Sequence, residues 1–123
     1  MGNFWKLEDV ERTARRHPTT FFLPPKHVRK TQTVGLAVRL HFLIKNRRQG
    51  EPSGERMWVT IVREAGFFTP YKGLLKNQPV CIDDLSAGTT ITFWPSNIAM
   101  TEKCEEEELK QLYGEQGGDA KRD

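Results

Sequence analysis

The stretch Gly54-Glu55-Arg56-Met57-Trp58-Val59 sets a carboxylate and a guanidinium against an indole where a polar loop gives way to alternation. Arg56 and Trp58 are two residues apart, so a strand presents both on one side. A guanidinium beside an indole can stack on, or pair with, a planar or anionic ligand. The same residues have structural uses: Arg56 pairing with a carboxylate at the rim, Trp58 packing as a large buried ring beneath a helix, Asn77 fixing the turn ahead of Pro79. Glu55, Arg56, Trp58 and Asn77 are therefore the candidate binding residues of this region. A second set is cationic. Arg12, Arg15, Arg16, Lys26, Arg29, Lys30, Arg47 and Arg48 lie in the N-terminal half with Phe21 and Phe22, a mixture of charge and aromatic faces suited to phosphates and single strands.

Catalysis finds less support. A nucleophile needs a base held beside it, yet there is no G-x-S-x-G elbow, and His17, His27 and His41 fall in separate elements. HExxH, paired CxxC, EF-hand, GxGxxG and Walker patterns are also missing, so the sequence names no metal, cofactor or nucleotide. Asp83-Asp84 reads as a turn, residues 105–108 as a solvated acidic run, and His41 as the solvent side of a strand. Cys81 and Cys104 stand in no ligand spacing and read as reduced thiols of a cytoplasmic protein. The expectation is a protein without catalytic residues.

The chain of 123 residues is 37% apolar and 10% aromatic, enough for one core. The longest apolar run, 36–44, is broken by Arg39 and His41, and acids occur within the first dozen residues, so no leader or transmembrane helix is expected. The net charge of +3 conceals a split: residues 1–50 hold 11 basic against 3 acidic side chains, and residues 51–123 hold 8 against 13. Such a split either marks a basic surface for an anion or lets two halves of one fold complement each other.

Elements must position these groups. Asn3 as N-cap, with Phe4, Leu7, Val10 and Ala14 at helical spacing, predicts an amphipathic first helix that ends at His17-Pro18; its late arginines suit the helix dipole. The Pro pair at 24–25 forbids a long helix, leaving an extended segment with one helical turn at 26–30. From residue 34 the period becomes two: Leu36, Val38, Leu40, Phe42 and Ile44 face one way, Ala37, Arg39, His41 and Lys45 the other. Residues 46–55 are a loop. Residues 57–63 form a central strand, with Met57, Val59 and Ile61 opposite Trp58, Thr60 and Val62. TPYKGLL and TTITFW supply two more strands, and Gly35 and Gly88 each lead the chain into a curved one. The fold class expected is α+β: an N-terminal amphipathic helix packed on a small, strongly curved antiparallel sheet or partial barrel of about four to five strands, with a short C-terminal helix. One domain is expected over 1–100, an acidic surface helix over 101–113 capped by Thr101, and a disordered tail over 114–123.

The succession VRLHF, ERMWV, YKGLLKNQP, LSAGTTITF and a closing SNI resembles the YegJ-like family of small bacterial domains. The similarity runs over residues 34–98, with Glu55-Arg56-Met57-Trp58-Val59 and Gly73-x-Leu75-x-Asn77-x-Pro79 as its most specific parts; after Ile98 the chain departs from the family's pattern at Ala99-Met100. The resemblance implies an α+β domain and no reaction. Two function classes follow. One is a non-catalytic binding module, a small bacterial or mobile-element protein that occupies a protein partner through its rim, with no cofactor and no membrane contact. The other is nucleic-acid or nucleotide binding through the basic N-terminal half. The first is preferred, because the arginines of the first helix already have a local role and the acidic segment from Glu102 onward can screen the remaining cations.

Overall fold

The single N-terminal helix expected from the sequence is two elements in the computed structural model, which describes residues 4–45 and 47–111. A short strand β1 (Trp5–Leu7) precedes helix α1 (Val10–Arg16). Phe4, Leu7 and Val10 fit a helical spacing, but Trp5 and Leu7 also fit a period of two, and tertiary pairing selects the strand. β1 bonds to the end of strand β2 (Ala37–Ile44), which sets the Trp5 ring against Phe42 with centroids 5.2 Å apart. Phe4, expected on the helix's apolar face, is exposed. The cap is Asp9, whose carboxylate accepts the Arg12 N–H at 3.2 Å; Asn3, the expected cap, lies outside the described residues.

Beyond the predicted single helical turn, α2 (Lys26–Lys30), the chain is mostly sheet. Strands β3 (Gly54–Arg63), β4 (Tyr71–Leu75) and β5 (Thr90–Phe93) follow β2, and β6 (Ile98–Thr101) comes after a 3-10 turn at Pro95–Asn97. The hydrogen-bonded order is β1-β2-β3-β4-β5, all antiparallel, with β6 on β2. This six-stranded sheet curls until it is nearly closed into a barrel, so the fold is α+β as expected, with six strands in place of four or five. The two extra strands have three and four residues, too short to show a period. β2 also starts later than the alternation suggested: Gly35 takes a φ of 96°, and Val34 and Leu36 remain exposed. β3 starts earlier, at Gly54, which shortens the expected loop.

Alternation places Val38, Leu40 and Phe42 of β2 and Met57, Val59 and Ile61 of β3 inside the barrel, with Tyr71, Ile91, Phe93 and Ile98. All are at most 2% exposed, so each contributes about 1.5–3 kcal/mol of burial. Tyr71 stacks on Phe93 at 5.2 Å, and its hydroxyl donates to the Arg29 carbonyl at 2.8 Å while accepting the Gln32 N–H at 3.1 Å. One core ring thereby ties α2 and the segment after it to the barrel, and burial pushes its hydroxyl above the ordinary tyrosine pKa. Helix α3 (Glu102–Leu109) is capped by Thr101, as expected, buries none of its residues, and is pinned by Glu102, whose carboxylate accepts the Ala37 N–H at 2.6 Å. The tail at 114–123 and the end of the expected acidic helix lie outside the described residues. No helix among the described residues is long and apolar enough to cross a membrane.

Gly73 is required for close approach. A Cβ there would overlap Val59 Cγ1 and sit 2.8 Å from the Thr60 carbonyl oxygen, which cannot yield without breaking the β3–β4 ladder. Gly73→Ala is expected to lower unfolding stability by about 2–3 kcal/mol in urea titration. Gly66→Ala, whose Cβ meets Thr69 at 3.5 Å, is the control and should stay within about 0.5 kcal/mol.

Candidate functional site

The outer face of β2 and β3 carries what the core rejects. Register makes Arg39 the cross-strand partner of Trp58 and His41 that of Arg56, a two-by-two block of side chains pointing away from the barrel interior. The Arg39 guanidinium lies over the Trp58 ring, 6.0 Å from its centroid, close enough for a cation–π attraction. The guanidinium–indole pair expected from the sequence therefore exists with a different arginine. Trp58, expected to be buried, is half-exposed. Its backbone belongs to the ladder, and the ring lies under the Arg39 guanidinium.

Three segments turn this face into a groove of about 740 Å³. The extended stretch that includes Phe21 and Pro24 forms one wall, Ala99 and Met100 of β6 lie alongside, and Cys104, Glu105 and Glu108 of α3 form the opposite wall, with Arg39, His41 and Arg56 as the floor. Among the described residues, Arg39 and Arg56 make no ion pair, and the Arg39 Nε is buried without an acceptor.

His41 corrects a second expectation. It does face away from the barrel core, yet it is 6% exposed, because the Phe21 ring stands edge-on to it at 6.0 Å and Glu8 closes its other side. Glu8 Oε1 lies 3.4 Å from His41 Nδ1, and Glu8 also accepts from the Thr13 hydroxyl. Beside a carboxylate, the neutral ring carries its proton on Nδ1, which leaves Nε2 an acceptor, buried and without a donor. Burial holds the His41 pKa below its ordinary value; Glu8 pulls it back up, while Arg56 and Arg39 push it down.

The other candidates serve elsewhere. The Glu55 carboxylate accepts the Val80 and Cys81 N–H groups at 2.9 and 2.6 Å, and Asn77 Oδ1 accepts the Trp58 N–H at 2.7 Å. Both side chains bond to backbone groups, and of the four candidates Arg56 alone lines the groove. Of the cations, Arg12, Arg15 and Arg16 are exposed on or near α1, and Lys26 and Lys30 are exposed on α2. Arg29 is turned inward, 6% exposed, paired to Glu11 at 2.6 Å and donating to the carbonyls of Pro24 and Pro95, so an external phosphate cannot reach it. Arg47 and Arg48 lie at the opposite end of the β1–β2 ladder from α1, where the Arg47 guanidinium donates to the Glu51 carbonyl and the Arg48 backbone N–H to the Glu51 carboxylate. The basic residues thus do not converge on one surface. Phe21 is half-buried and Phe22 exposed.

Sequence reasoning missed Arg39, His41, Glu8 and Phe21 as one cluster. The available signal was that Arg39 and His41 occupy the polar phase of β2, as Arg56 and Trp58 occupy that of β3; adjacency required the register. Among the described residues, no group of three His, Cys, Asp or Glu side chains lies where a metal ion could be held. No family model, curated protein or solved structure matches this chain.

A histidine with a depressed folded pKa binds its proton more readily in the unfolded chain. Its contribution to stability is complete above the unfolded value of about 6.5. It is lost as the pH falls from there through the lower folded value, and then levels off. Urea midpoints measured across this window should decline on acidification, and His41→Gln should flatten that part of the profile. An unchanged profile in the variant would place the acid sensitivity elsewhere.

Proposed function

We propose that this chain is a non-catalytic binding module that acts by occupying a protein partner, with the groove over β2 and β3 as its contact. The observation that carries this reading is the floor: Arg39 and Arg56 lack an ion pair among the described residues and lie with Phe21 in a concave surface, at whose margin Arg39 stands over the half-exposed Trp58 ring. Arginine and aromatic side chains are the usual anchors of protein interfaces, since one guanidinium or ring buries much surface and keeps directional hydrogen bonds. The opposite wall is acidic through Glu105, Glu107 and Glu108. A partner segment with an acid toward the floor and a base toward α3 would match both charges.

Kinship with the YegJ-like domains is proposed on the order and spacing of the pieces in residues 34–98, and an α+β domain with no attached reaction fits the same reading. A bacterial or mobile-element setting and a cytoplasmic location belong to this proposal. The second reading, nucleic-acid binding, draws on the exposed Arg12, Arg15, Arg16, Lys26 and Lys30 of the α1–α2 region. It is weakened by the inward turn of Arg29 and the distance of Arg47 and Arg48 along the ladder.

The test uses the intact chain as bait in extracts of the cells that encode it. The double variant Arg39→Glu/Arg56→Glu should lose partner capture by about 10-fold or more while its melting midpoint is kept. A single-stranded oligonucleotide of roughly 20 nucleotides should show negligible affinity at physiological salt. Micromolar oligonucleotide binding that survives the groove variant, and disappears when Arg15, Arg16, Lys26 and Lys30 become Glu, would replace the first reading by the second.

A further inference from the structure

The five strands β1-β2-β3-β4-β5 alternate in direction, so the two outer ones, β1 and β5, run the same way. An all-antiparallel ring requires an even number of strands, and five leave a seam whose edges cannot join as an antiparallel pair. β6 does not resolve this, because it pairs with β2 at residues 38–40, on the same edge of β2 whose other half carries β1.

Register identifies the backbone groups left over. Lys45 N–H donates to the Phe4 carbonyl and Glu8 N–H to the His41 carbonyl, each at 2.9 Å. Even-numbered residues of this strand therefore bond to β2, and the N–H and C=O groups of Trp5 and Leu7 face outward. Leu75 N–H donates to the Thr89 carbonyl at 2.9 Å, so odd-numbered residues of β5 bond to β4 and the groups of Thr90 and Thr92 face outward. Among the described residues, none of these four has a backbone partner.

The seam has defined ends and a floor. Asp84 Oδ2 accepts the Phe4 N–H at 3.1 Å at one end, and Asn97 Nδ2 donates to the Glu8 carbonyl at 3.0 Å at the other. Between them lies a groove of about 640 Å³ with Trp5, Leu7 and Leu85 among its apolar lining and Lys6, Thr90 and Thr92 among its polar lining. The Trp5 ring covers this floor from the core side, packed on Phe42. Two unpaired backbone edges over an apolar floor in one groove ask for a peptide backbone.

We propose that this seam takes an extended segment of a partner protein, about four residues long, running antiparallel to both β1 and β5 and completing an even-numbered antiparallel ring. Its alternate side chains are apolar, against Trp5, Leu7 and Leu85, and polar, beside Lys6, Thr90 and Thr92. The seam lies apart from the Arg39–Arg56 groove, so this inference stands or falls independently of that site.

Amide hydrogen exchange on the intact chain tests it, with an N-acetylated, C-amidated hexapeptide Thr-Val-Thr-Val-Thr-Lys as probe. In the free protein the amides of Trp5, Leu7, Thr90 and Thr92 should exchange within about 10-fold of open-chain rates, and millimolar peptide should slow all four by about 10-fold or more. The same peptide N-methylated at alternate residues, which removes the donors of one edge, should have no such effect. Ladder-like protection of the four amides in the free protein would show a seam already closed and overturn the proposal. So would the absence of slowing at millimolar peptide, or slowing along one edge only.

Discussion

Strand β2 bonds to three others: β3 along one edge, and β6 and then β1 along the other. Because successive side chains of a strand point to opposite faces, this one segment is committed twice. Val38, Leu40 and Phe42 fill the barrel, and Arg39 and His41 are thereby forced onto the face where Arg56 and Trp58 stand. A slip of one residue would send a guanidinium and an imidazole into the core and three apolar side chains into water. At about 1.5–3 kcal/mol for each buried apolar side chain, the core alone enforces the register, and the groove floor is a consequence of it.

Polar side chains hold the ends of this small sheet. Glu55, Asn77, Asp84, Asn97 and Glu102 each bond to a backbone group beyond or between strands, at distances from 2.6 to 3.1 Å. A typical hydrogen bond of this kind contributes about 0.5–1.5 kcal/mol, so together they are a sizeable part of the marginal stability of a small domain. Two of these residues, Glu55 and Asn77, are among the candidates that first suggested a ligand. Their side chains are engaged with the chain's own backbone, while the inconspicuous alternation of β2 supplies Arg39 and His41 to the groove floor.

Charge follows the same division. Arg29 is buried because its guanidinium finds Glu11 and two carbonyls, five donors in a fixed fork being easier to satisfy inside than one ammonium. Arg39 and Arg56 find no such acceptors among the described residues, and the acids of α3 stand across the groove without an ion pair to them. Cations and acids thus face one another across an open groove without ion pairs between them, where the composition also allowed the two halves to complement each other directly.

The sequence by itself determined the α+β class, the two long strands, the helical turn at 26–30, the Thr101 cap and the roles of glycine at 35 and 88, because each depends on contacts within a few residues. It could not determine that residues 5–7 form a strand, since three residues satisfy two periods and only β2's open edge chooses between them. Nor could it place Arg39 against Trp58 or Glu8 against His41, pairs 19 and 33 positions apart in the chain. Those adjacencies, and the parallel edges that leave the seam open, are properties of register and strand count, which exist once the sheet has closed around its core.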